Sequence, residues 1–164
     1  YFSARAVPKD NPQYDMYAST GLAFLRRDGF ASMDSVGEEG TLTTRPVRFS
    51  GKYLFVNVRA PQGELRAEVL DANGAVVQPF TRERCEPVMA DKTLQKISWK
   101  GAAGLSELAG KPVRFRFYLR LGELYSFWVS PDASGASHGY VGSGGPGYRG
   151  FVDLEGDRAL AAPK

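Results

Sequence analysis

The stretch VRFRFYLRLGELYSFWV, Val113 to Val129, decides the fold. Two strict alternations flank one short connection, and a period of two marks strands with one buried face. Val113, Phe115, Phe117 and Leu119 fall on one side of the first run. If Leu119 pairs with Tyr125 across the Arg120 to Leu124 connection, the runs form a β-hairpin whose apolar face also takes Tyr125, Phe127 and Val129. The opposite face then carries Arg114, Arg116, Tyr118, Arg120, Ser126 and Trp128. An apolar face of that size requires a second sheet to cover it.

Upstream runs supply candidates for that sheet. Tyr53 to Arg59 alternates but is apolar on both faces, whereas Glu64 to Leu70 puts Leu65, Ala67 and Val69 inward and Glu64, Arg66 and Glu68 outward. The Asn73-Gly74 pair favours positive φ and predicts a tight hairpin between Glu64–Leu70 and Ala75–Phe80. Leu94 to Lys100 alternates again, with Ile97 in period with Trp99, which reads as core. Thr41 to Phe49 is β-branched but holds Pro46, so it reads as an edge strand or a broken one after the turn at Glu38 to Gly40. Tyr1 to Arg5 reads as a strand end, and Gly21 to Leu25 as a run able to pair with it. Leu105 to Ala109 has room for one helical turn before Gly110 and Pro112. Short strands with turns between them, and no amphipathic helix of length, predict an all-β antiparallel sandwich of jelly-roll type. From Pro131 onward eight of 34 residues are Gly and no periodicity survives. This Gly-rich C-terminal tail is expected to lie on the surface or stay mobile.

At 164 residues the chain has room for one domain with a real core, or one plus a fragment of another. Its 21 Lys and Arg against 18 Asp and Glu leave a charge of +3 without any long basic block, so nothing points to nucleic acid. No apolar run approaches the roughly 20 residues that cross a bilayer, and no signal-peptide pattern opens the chain, which starting at Tyr1 reads as a processed or excised piece. The lone Cys85 excludes an internal disulfide framework and reads as a small core hydrophobe.

Four runs, GLAFLRRDGFASMD (Gly21 to Asp34), GTLTTRPVRFSG (Gly40 to Gly51), LRAEVLDANG (Leu65 to Gly74) and the segment from Leu108 to Pro131, together resemble the C-terminal β-sandwich of bacterial proteins related to glycoside hydrolase family 32 and similar five-bladed-propeller glycosidase-like proteins. The resemblance implies that a propeller comes first and carries the nucleophile and general acid, and that the sandwich is ancillary. It divides the chain into residues 1–27, either the last strands of the preceding domain or strands added to the sandwich, then the sandwich at 28–130 and the tail at 131–164. It also implies an extracellular or periplasmic location. No residue here matches a propeller catalytic motif, so no catalytic residue carries over and no enzyme activity is expected. Related sandwiches often end soon after the last strand, and the long tail departs from that pattern.

The expected function is therefore non-catalytic binding of a polysaccharide or oligosaccharide, with Trp128 stacking on a sugar ring and Arg116, Tyr118, Arg114 and Arg120 supplying directed polar contacts. Two other readings of Trp128 stay open: a cation–π contact with Arg116 inside the sheet, and a face buried against an upstream propeller that the sandwich braces. Tyr140, Tyr148 and Phe151 either pin the tail to the sheet or form a contact set. His138 follows Ser134 too closely in the chain to make a triad, and Gly142 to Gly147 lacks the Lys-Ser or Lys-Thr and the helix of a phosphate loop. Asp28, Asp34, Glu38, Glu39, Asp91 and Asp132 all sit near turns, and nothing selects a glycosidase pair from them. No cofactor is expected. A structural calcium is the one metal the sequence leaves room for, with Asp34 and Asp91 as its weak candidates.

Overall fold

In a computed structural model of the chain, which describes residues 2–5, 7–13, 18–21, 23, 25–141 and 147–161, two antiparallel sheets pack face to face. One has four strands in the order β3 (Met33–Ser35), β9 (Gly122–Ser130), β5 (Tyr53–Arg59), β7 (Asp91–Lys96). The other has three, in the order β4 (Gly40–Thr43), β8 (Val113–Arg120), β6 (Glu64–Asp71). The chain is an all-β sandwich. A separate two-stranded sheet joins β1 (Phe2–Arg5) to β2 (Ala18–Gly21). The partner of the first strand thus comes earlier than Gly21 to Leu25, and within that run Leu22 and Phe24 lie outside the described residues. None of the described helices is long and apolar enough to cross a membrane.

The expected hairpin from Val113 to Val129 does not form. β8 pairs along its whole length with β6, from Glu64↔Arg120 to Asp71↔Val113, while β9 pairs with β5 in the other sheet. Leu121 alone separates the two strands, and its φ of +50° turns the chain from one sheet into the other. Alternation records which side of a strand is apolar, and a hairpin and an inter-sheet corner satisfy it equally. In the hairpin both apolar sets line one sheet face; in the corner they face each other across the core. The rings settle the matter, with Phe127 of β9 lying 5.8 Å from Phe115 and 5.2 Å from Phe117 of β8.

A second difference lies inside β9. The register slips between Asn57↔Ser126 and Val58↔Leu124, leaving one extra residue on β9, a β-bulge. Leu124 takes the core position, 4% exposed, that alternation assigned to Tyr125. Tyr125 stays half-buried, with its hydroxyl on Glu123 and the Arg26 guanidinium 4.8 Å over its ring.

Three crossings gather at one end of the sandwich, where β3 passes to β4, β5 to β6 and β8 to β9; the register there pairs Ser35 with Gly122, Arg59 with Glu123, Gly40 with Leu119 and Glu64 with Arg120. Backbones approach closely at this corner. A Cβ on Gly63 would stand 1.8 Å from the Arg120 carbonyl oxygen, so only glycine fits.

Between the sheets lie Leu54, Val56 and Val58 from β5, Leu65, Ala67 and Val69 from β6, and Val113, Phe115, Phe117 and Leu119 from β8. Phe80 and Trp99 close the side, edge to face at 5.5 Å, and the Trp99 Nε1 donates to the Ala67 carbonyl at 2.9 Å. Cys85 is buried in this core, and burial pushes its thiol up to about 11. The turn at Asn73-Gly74 forms as expected, with Gly74 at φ +89° and the Asp71 carboxylate accepting from the amides of Asn73 and Ala75. Beyond it Ala75 to Phe80 is no regular strand and makes one bridge, Val76 to Leu70. Pro46 breaks its segment as predicted: β4 stops at Thr43, and Val47 resumes with a bridge to Val113. β7 begins at Asp91, before the alternating run, and stops at Lys96, leaving Trp99 in an isolated bridge to Cys85. Ser106–Leu108 is the single helical turn expected there, of 3-10 type.

Candidate functional site

The corner between β8 and β9 separates the residues predicted to bind together. Arg114, Arg116, Tyr118 and Arg120 lie on the outer face of the three-stranded sheet, and Trp128 lies on the four-stranded one. They do not form one surface.

On the three-stranded sheet the hub is Glu68, which is buried at 5% exposure. Arg116 Nη1 donates to its Oε1 at 3.0 Å and the Tyr118 hydroxyl donates to the same oxygen at 2.7 Å, while Arg116 Nε reaches the Thr43 hydroxyl at 3.1 Å. Burial and the bond to Glu68 raise the Tyr118 pKa, so its phenol is neutral and donates. The Arg82 guanidinium lies 4.3 Å over the Tyr118 ring and donates to Glu39 at 2.7 Å. Arg114 Nη1 contacts the Thr44 carbonyl at 3.4 Å, and Arg120 is exposed. Arg116 and Tyr118 are thus committed to holding a buried carboxylate. Glu68 read only as an outward charge in sequence; its role follows from the pairing of β6 with β8, which places it opposite Arg116.

Trp128 is half-buried. Its ring stacks on that of Phe55, its cross-strand partner, at 5.7 Å and 17°, and its Nε1 donates to the Gly135 carbonyl at 3.0 Å. The contact is aromatic, with Phe55, rather than a cation–π contact with Arg116. It explains why Tyr53 to Arg59 is apolar on both faces: Phe55, 2% exposed, packs under the tail. A Cβ on Gly135 would stand 2.9 Å from both Phe55 and Leu94, which places this part of the tail against the sheet.

Two consecutive arginines tie the same face together. Arg26 donates to the Asn57 side-chain oxygen at 2.6 Å, to the Val58 carbonyl at 3.0 Å and to Asp91 at 2.6 Å. Arg27 donates to Asp153 at 2.8 Å and packs 4.9 Å from the Tyr148 ring, bonding its hydroxyl. Asp153 is fully buried and also accepts from the amides of Ser137, Glu155 and Gly156 and from the Ser137 hydroxyl. Burial alone would raise its pKa; the Gly156 amide, Arg27 and the Ser137 amide outweigh burial and hold it down at about 2. Of the three tail aromatics, only Tyr148 pins the tail. Tyr140 and Phe151 are 77% and 70% exposed and stack on each other at 6.3 Å.

The two calcium candidates do not converge. Asp34, Glu123, Arg59 and Asp91 form one row across four neighbouring strands, which sets Asp34 and Asp91 three strand spacings apart, roughly 14 Å. Asp91 is also engaged by Arg26. His138 Nε2 and Asp132 Oδ2 lie 2.6 Å apart on the surface, and the Ser137 hydroxyl is turned to Asp153.

A cleft with a volume of about 740 Å³ lies above edge strand β7. Leu94, Ala133 and Leu160 give it apolar surface over the buried Phe55; Thr93, Gln95, Lys92 and Lys96 line it from β7, and Asp157 comes from the tail. Sequence reading missed it because a third of its lining belongs to the aperiodic tail. Comparison with protein-family models, with curated proteins and with solved structures matches none of them to this chain.

Proposed function

We propose that the chain is a non-catalytic, carbohydrate-associated β-sandwich that binds a glycan in the cleft above β7, and that it works outside the cytoplasm beside a polysaccharide-degrading partner. The cleft carries this reading. It joins an apolar floor to several side chains able to hydrogen-bond hydroxyls, the combination a sugar ring requires, and its volume accommodates a short oligosaccharide. Trp128 supports the floor by holding Phe55 rather than meeting the sugar itself. Calorimetry against a polysaccharide panel tests the reading: the parent binds at least one polymer, and Ala133→Trp, which fills the cleft from an exposed position, abolishes that binding. Binding undiminished in this variant, or no binding by the parent, refutes it.

A second reading, an interdomain sandwich bracing a propeller, is favoured by a different observation. Leu25, Phe30, Met33 and Val36 are 57 to 92% exposed within one short segment, which is unusual for a surface facing only water. On this reading Phe30→Ser with Val36→Ser lowers self-association in size-exclusion chromatography and abolishes docking to an upstream domain; unchanged behaviour on both counts removes it.

A further inference from the structure

The chemistry of the surface that adjoins the cleft at Lys96 narrows the class of glycan, an inference that rests on the cleft reading. Lys52, just before β5, and Lys96, the last residue of β7, converge on one aromatic ring: their ammonium nitrogens lie 5.1 and 4.4 Å from the Tyr53 ring centroid. The two cations are therefore within about 10 Å of each other, inside a Debye length at 0.1 M salt, so they repel. Among the described residues the ion pairs engage arginines and His138 and no lysine, so no described carboxylate pairs with either cation. Lys96 also lines the cleft, beside Lys92. Of the other charged groups there, Asp91 is neutralised by Arg26 at 2.6 Å, which leaves Asp157 against Lys92 and Lys96 in the cleft, with Lys52 beside it. Like charges in excess of the counter-charge beside them create a positive potential that an anion relieves.

We infer that the Lys52–Tyr53–Lys96 corner binds the anionic substituent of an acidic glycan, a uronate carboxylate or a sulfate ester, while the cleft takes the sugar ring that bears it. The ring of Tyr53 holds the two ammonium groups through its π face and leaves their N–H donors free for the anion. Two such contacts at the surface change affinity by about tenfold, and added salt weakens them.

The test uses the whole chain and two matched polymer pairs in calorimetry: free against fully methyl-esterified polygalacturonate for the carboxylate, and dextran sulfate against dextran for the sulfate. One charged member binds about tenfold more tightly than its neutral match, and which pair responds identifies the anion. Lys52→Gln with Lys96→Gln removes the preference, whereas Arg120→Gln, an exposed cation on the other sheet, leaves it intact. Equal binding of charged and neutral members overturns the acidic assignment while the glycan reading stands. Equal losses in the lysine and Arg120 variants overturn it too, as they show attraction to net charge alone. Binding of none of the four polymers, nor of any in the wider panel, removes the cleft reading and this inference together.

Discussion

Two buried carboxylates do much of the organising, and neither was legible in the sequence. Glu68 sits in an alternating strand where it reads as one more outward charge, and Asp153 sits in a glycine-rich segment without periodicity. Burial of a charge depends on what covers it, here Arg116 and Tyr118 in one case and Arg27 with three tail amides in the other. Asp153 has a measurable consequence. Its pKa lies at about 2 rather than 3.8, so the folded state binds a proton less readily than the unfolded chain. The contribution, about 2 kcal/mol by linkage, is fully present above the unfolded value and is lost as pH falls through the folded one. Urea melts of the parent and of Asp153→Asn should therefore differ by about 2 kcal/mol at pH 7 and converge towards pH 2. A difference that persists unchanged at pH 2 would show that the carboxylate charge is not what anchors the tail.

Among the elements, the strands with clean alternation were legible and their partners were not. Val113 to Arg120 and Glu64 to Leu70 form strands with the inward residues expected, because period two depends only on the strand and the core it faces. The choice between hairpin and corner depends on non-local packing. Leu121, a leucine at positive φ, carries none of the glycine or asparagine signal that marks such turns. The β-bulge in β9 is hidden for the same reason: it shifts Leu124 into the core through pairing with β5, which no local pattern records. The corner account gives Gly63 a role that the hairpin did not. Gly63→Ala should destabilise the chain by about 3 kcal/mol in denaturant melts, comparable with Phe117→Ala in the centre of the core, because the added methyl meets the Arg120 carbonyl. A Gly63→Ala variant as stable as the parent would contradict the close crossing of β5–β6 and β8–β9.

For the molecule as a whole, the two outer faces have opposite fates. The three-stranded sheet closes its face with paired charges, and the four-stranded sheet closes most of its own with the Arg26–Arg27 segment and the tail, leaving the cleft at the edge beside β7. The class of fold was legible from strand patterning. The surface able to take a ligand was not, since it forms where an aperiodic tail meets an edge strand. Amide spectra of the isotope-labelled chain, titrated with oligogalacturonate, test the account most directly. It predicts shifts at Lys52, Tyr53, Ala133 and along Asp91 to Lys96; shifts centred on Arg114 to Arg120, or none on saturation with any acidic or neutral glycan, would contradict it.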